Sequence, residues 1–138
     1  MSRGMKIYAA TLVAIVFVIA FNILYEPSEV RELNALLAQE EQLKDYPYQF
    51  RVLQIDNGVA VISSPRAAGV SVPAIVKVID PSLKDLPVTD ERIFEAQRHL
   101  AEIQSSAKRL IEDRPNVERI RWKLDEEWLR NHGIAFPH

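Results

Sequence analysis

The chain has 138 residues, a formal net charge of −2 and no cysteine. That length suits one modest hydrophobic core. The acidic balance argues against a general nucleic-acid binder, and the missing thiols exclude disulfides, thiolate metal sites and cysteine nucleophiles.

Residues 1–6 form a short basic tail carrying Arg3 and Lys6. Residues 7–25 carry no charge, and Thr11 and Asn22 are the only clearly polar side chains there. As a helix this stretch is about 28 Å long, one hydrocarbon core. Lipid offers no partner to open backbone groups, so a helix is the structure expected. Tyr8 and Tyr25 stand at its two ends, where amphipathic rings favour the membrane interface. The positive-inside rule places the basic tail in the cytoplasm. The expectation is a single-pass protein of the inner (plasma) membrane, its C-terminal domain facing the periplasm or exterior. A cleaved signal peptide is the rival, with Val18-Ile19-Ala20 as the cut. Against it, the apolar run continues through residues 21–25. Asn22 lies near the interface, where a hydrated end residue is expected. No Asp, Glu, Lys, Arg or His lies inside the span, which argues against ion conduction by this chain alone.

Residues 26–45 are acidic, with six acids and two bases, which disfavours electrostatic clamping to lipid. Val30, Leu33, Leu36, Leu37 and Leu43 recur at helical spacing, Ser28 is placed as a cap, and Glu29 and Glu32 suit the first turn. One stalk helix is predicted over residues 29–44. Its apolar stripe is too short for a coiled coil and is expected to pack on its own domain.

Residues 46–138 read as a small α+β domain. Asn57-Gly58 between apolar runs predicts a hairpin over residues 50–64 with a type I′ turn. That turn sets Ile55 against Ala60, Leu53 against Ile62, Gln54 against Val61 and Val52 against Ser63. Alternation over residues 74–80 predicts a third strand. Thr89 is expected to cap a long helix reaching residue 113, with Val88 and Ile93 as a hydrophobic staple. Its stripe is Ile93, Ala96, Leu100, Ile103, Ala107 and Leu110. Pro115 ends it. A fourth strand over residues 117–124 turns Ile120, Trp122 and Leu124 one way and Arg119, Arg121 and Lys123 the other. Asp125 is expected to cap a last short helix over residues 126–131, stopped by Gly133. The expected fold is thus a mostly antiparallel four-stranded sheet with the long helix on one face. The other face, which Phe50, Val52, Val59, Val61, Ile75 and Ile79 could line, is left for the stalk helix or a partner.

Chemistry-bearing patterns are sparse. Glu95, His99 and Glu102 share a helical face, but without a second histidine they read as a solvent-side ion pair rather than a metal site. His132 suits a helix C-terminus, and His138 is terminal. Asp125-Glu126-Glu127 fits a helix N-terminus better than acid–base catalysis. Ser63-Ser64 lacks a nucleophile-elbow context, and four scattered glycines make no phosphate loop. No catalytic activity, metal or cofactor is expected. Arg119, Arg121 and Lys123 on one strand face, and Arg66 in the loop over residues 64–69, are the candidate contacts, together with Phe50, Val52 and Val61.

The layout of tail, anchor, stalk and small α+β domain resembles small single-pass components of bacterial envelope machines. The anchor, the sparse catalytic patterns and the half-apolar sheet face lead to the expectation of a non-catalytic accessory or scaffold subunit, with the lipid bilayer and a membrane-protein partner or second copy as its contacts. The alternative is a binding module for anionic lipid or cell-wall polymer, carried by the basic residues. Less favoured is a hydrolase or transferase with a cryptic site.

Overall fold

The structure, a computed structural model, describes residues 2–24 and 27–137. Tyr25, Glu26, His138 and the side chain of Asn22 lie outside the described residues. Among those described, the fold is α+β, with six helices and one three-stranded mixed sheet.

Helix α1 spans Arg3–Leu24. Its Arg3–Phe21 stretch is long and apolar enough to cross a membrane, and none of it is buried. A signal sequence has the same properties. Thr11 satisfies its hydroxyl inside the helix by donating to the Ile7 carbonyl at 2.9 Å.

The predicted stalk helix is two helices, α2 at Ser28–Gln39 and α3 at Glu41–Lys44. Glu40 is extended (φ −69°, ψ 125°), so the chain bends there. Ser28 forms no side-chain cap, and Pro27 takes the N-cap position. Val30, Leu33, Leu37 and Leu43 are buried in the same core as the rest of the domain. The acidic segment is therefore a structural part of the domain.

Strands β1 (Val52–Asp56) and β2 (Val59–Ser64) form the predicted hairpin. Asn57 (φ 51°) and Gly58 (φ 79°) both take the left-handed conformation that a type I′ turn needs. Gly58 is required twice over, because a Cβ there would come within 2.8 Å of the Glu118 side chain. Ile55–Ala60 and Gln54–Val61 pair as expected, but the register shifts between Val52 and Gln54, so Val52 pairs with Ile62. Leu53 becomes the extra residue of a bulge and is 47% exposed.

The predicted third strand is a helix, α4, at Val72–Ile79. Ser71 caps it by accepting from the Ala74 amide at 3.2 Å, and Pro73 occupies the first turn, where its missing N–H costs nothing. Val72, Ile75, Val76 and Ile79 fit a helical stripe as well as a strand alternation. Adjacent Ile75 and Val76 are both buried, which only a helix allows against one core face.

A 3-10 turn (Pro81–Leu83) leads to α5 at Glu91–Glu112. Its cap is Asp90, not Thr89, and accepts from the Arg92 amide at 2.9 Å. The staple does not form, because Val88 is 56% exposed while Ile93 is fully buried. The long apolar stripe is as predicted, with Ile93, Leu100, Ile103 and Ala107 buried and Ile111 added.

Strand β3 (Arg119–Leu124) joins β2 in parallel, giving the order β1-β2-β3. The predicted mostly antiparallel sheet of four strands is thus corrected to a mixed sheet of three. The reason is the corrected α4. With two helices between β2 and β3, the chain crosses back to its starting end before pairing again, the geometry of a parallel crossover. Helix α6 (Glu126–Asn131) closes the fold, capped by Asp125 and followed by Gly133 at φ 70°. Beyond it Ile134 is buried, and the Arg130 guanidinium lies 5.8 Å from the Phe136 ring centre.

Candidate functional site

Register decides what each sheet face carries, because paired residues project to the same side. The inner face holds Ile55, Ala60 and Ile120 in one row, then Val52, Ile62 and Trp122, then Ser64 and Leu124. The outer face carries Asp56, Val59 and Arg119 in one row, then Gln54, Val61 and Arg121. Its third row holds Ser63 and Lys123. Arg51 stands at the end of that row, its carbonyl accepting from the Ser63 amide at 2.9 Å.

Arg51, Gln54, Asp56, Arg119, Arg121 and Lys123 are all exposed, while Val61 and Ser63 on the same face are buried. Four cations meet one acid there. Across from the β3 cations, β2 offers Val59, Val61 and Ser63, none of which carries charge. Among the described residues, ion pairs form at Lys44–Glu41, Arg92–Asp90, Arg98–Glu95, His99–Glu102 and Lys108–Glu112. None of the four sheet cations takes part. Alternate residues on β3 stand about 6.6 Å apart and neighbouring strands about 4.8 Å apart, so the positive charge is spread over a flat patch.

Arg66 does not belong to this patch. It lies past the end of β2, half-buried, with its amide held by the Ser64 hydroxyl at 3.1 Å. The exposed loop tip is Ala67–Gly69 instead. Phe50 and Val52 are buried in the core, and Val61, although it stays on the outer face, is also buried. The apolar candidates therefore offer little free surface, and the partner surface narrows to the cations. Arg51 is the residue that sequence reasoning missed. Simple hairpin pairing set Val52 against Ser63, and the bulge moves Arg51 there.

The other candidates resolve into structure. Ser64 is fully buried, donates to the Gln104 side chain at 2.9 Å and accepts from Arg66. Ser63 accepts from the Arg51 amide at 3.1 Å. Asp125 uses one carboxylate oxygen to cap α6, accepting from the Trp128 amide at 3.1 Å, and the other to accept from the Tyr48 hydroxyl at 2.8 Å. His132 ends α6, with Nδ1 2.7 Å from the Trp128 carbonyl. His99 Nδ1 stands 4.0 Å from Glu102, both side chains exposed, beside an open depression of about 580 Å³. That depression is lined by one carboxylate, Glu102, with Arg98 and Arg109. Among the described residues no cluster of three His, Cys, Asp or Glu is placed to hold a metal ion.

Two buried tyrosines tie the segment before β1 to the core. Burial pushes the Tyr46 hydroxyl up to about 12. Tyr48 is raised further, mainly by desolvation and also by Asp125. Both stay neutral in the folded state where an unfolded tyrosine would ionise near pH 10. The contribution of Tyr46 to stability is therefore full below about pH 10 and is lost as pH rises from there through about 12. Alkaline unfolding followed by circular dichroism is expected to fall less steeply over that window in Tyr46→Phe than in the parent.

Comparison with family models, with curated proteins and with solved structures produced no match.

Proposed function

We propose that this protein is a non-catalytic accessory or scaffold subunit, anchored in the inner membrane by α1. In this reading it holds an acidic partner protein on the outer side through Arg51, Arg119, Arg121 and Lys123. The observation that supports it is that four exposed cations share one sheet face with a single acid, Asp56, and that none of the four forms an ion pair among the described residues. An ordinary solvated strand face interleaves both signs. Arg3 and Lys6 at one end of an uncharged span support the outward orientation.

Full-length protein extracted in mild detergent is expected to run in a complex by native mass. The fourfold Arg51→Gln, Arg119→Gln, Arg121→Gln, Lys123→Gln variant is expected to run as the free chain. Its unfolding midpoint should be nearly unchanged, since exposed substitutions shift stability by about 0.5 kcal/mol or less. A parent protein found only as a monomer, or a variant that stays assembled, overturns the proposal. The same cations suit a second reading, a module for anionic lipid or cell-wall polymer. Monomeric parent protein that captures such a polymer, and a fourfold variant that does not, would favour it.

A further inference from the structure

The two edges of the sheet are treated differently by this chain. On β1 the outward groups of Val52 are closed, since its amide donates to Asn34 Oδ1 at 2.7 Å and its carbonyl accepts from Asn34 Nδ2 at 3.0 Å. The bulge at Leu53 then breaks the edge again. Among the described residues neither device is present on β3, and its one sheet neighbour is β2. The Arg119 amide donates to the Gly58 carbonyl and the Asp125 amide to the Ser64 carbonyl. Odd-numbered residues therefore turn their backbone groups toward β2. Ile120, Trp122 and Leu124 turn theirs to the open edge.

We infer that the free edge of β3 accepts an extended segment of a partner protein by strand addition, and that this segment alternates acidic with apolar side chains. The inference rests on the function proposed above and names the partner's chemistry. Strand addition gives main-chain hydrogen bonds along Ile120–Leu124, and alternate side chains supply specificity. On the outer side, every second residue of the added strand lies beside Arg119, Arg121 or Lys123, so carboxylates there meet cations that form no ion pair among the described residues. On the inner side, the intervening residues continue the half-buried row of Ile120, Trp122 and Leu124, so they are apolar. A second copy of β3 is a poor occupant, because it would set cations against cations across the new pair. A second copy's β1 is closed at Val52. The outer face carries no aromatic residue in its three rows, so stacked nucleobases have no platform there.

The test uses full-length protein in detergent and a labelled peptide of about eight residues alternating Glu and Val, a usual strand length. Fluorescence anisotropy is expected to show saturable binding. A peptide of the same composition with the Glu and Val residues in two blocks should bind at least tenfold more weakly. So should the alternating peptide toward protein carrying Arg119→Gln, Arg121→Gln and Lys123→Gln. N-methylation of every second peptide amide probes the backbone bonds without altering the protein. One phase of methylation should abolish binding and the other leave it, because only alternate amides face β3. Equal binding by the two methylated peptides overturns strand addition, while leaving the basic face as a contact surface if the fourfold variant still loses its complex. Equal binding by the block peptide overturns it in favour of diffuse electrostatic attraction. Binding of polyphosphate with no binding of the alternating peptide assigns the face to an anionic polymer instead.

Discussion

Ile75→Ala is expected to destabilise the protein by about 2–5 kcal/mol, the range for truncating a fully buried branched side chain. Ile75 has no exposed surface and lies in the core that α4 and α5 share with α2 and the sheet. The cost is one of packing. Alanine is the best helix former, so the backbone of α4 loses nothing by the change. Total stabilities of single domains are about 5–15 kcal/mol, so this one cavity removes a large share. In a domain of this size the unfolding midpoint should fall by about 10 °C or more. Val76→Ala should also be costly, because both neighbours are buried, whereas a strand would turn one of them to solvent. Thermal unfolding of the two variants measures this directly. A midpoint within a degree or two of the parent for either would contradict the placement of α4.

Asp125→Ala is expected to cost about 2–4 kcal/mol, the sum of a lost helix cap and a buried hydroxyl left unpaired. One oxygen of Asp125 caps α6 and the other receives the Tyr48 hydroxyl. Tyr48 is 2% exposed, and its ring meets Phe50 and Trp128 edge-on at centroid distances of 4.9 and 5.3 Å. Without Asp125 the hydroxyl proton loses its acceptor, with only the Ser63 side chain left beside it. Tyr48→Phe removes that hydroxyl and keeps the ring, so it should cost about 1 kcal/mol on its own. In the double variant the penalty of the orphaned hydroxyl disappears, and the two effects should sum to less than their parts. Chemical denaturation of the four proteins of this cycle gives the coupling. Strict additivity would mean that Asp125 acts as a cap alone.

Legibility in the sequence differs from element to element. The hairpin was legible because Asn57-Gly58 imposes its own backbone geometry. The long helix was legible because six apolar residues repeat over many turns. The short terminal helix was legible from Asp125 and Gly133. In each case the signal is local. Residues 72–79 were not legible, since a run of branched residues this short satisfies both periods, and what settles it is the core around it. The bulge at Leu53 was not legible either. It depends on Asn34, distant in sequence, holding the backbone of Val52. That one insertion brought Arg51 to the outer face and took Phe50 and Val52 out of the candidate surface.

The sequence alone therefore determined the apolar N-terminal helix, the turn, the principal helical stripe and the alternation that puts Arg119, Arg121 and Lys123 on one side of a strand. Those follow from side-chain chemistry and backbone preferences within a few residues. The tertiary structure decided that this strand runs parallel to β2 at the sheet edge, that uncharged residues are its cross-strand neighbours, and that the acidic segment packs into the core. Each of these depends on which distant segments meet. Burial and hydrogen bonding over the whole chain settle that, and no local pattern encodes it.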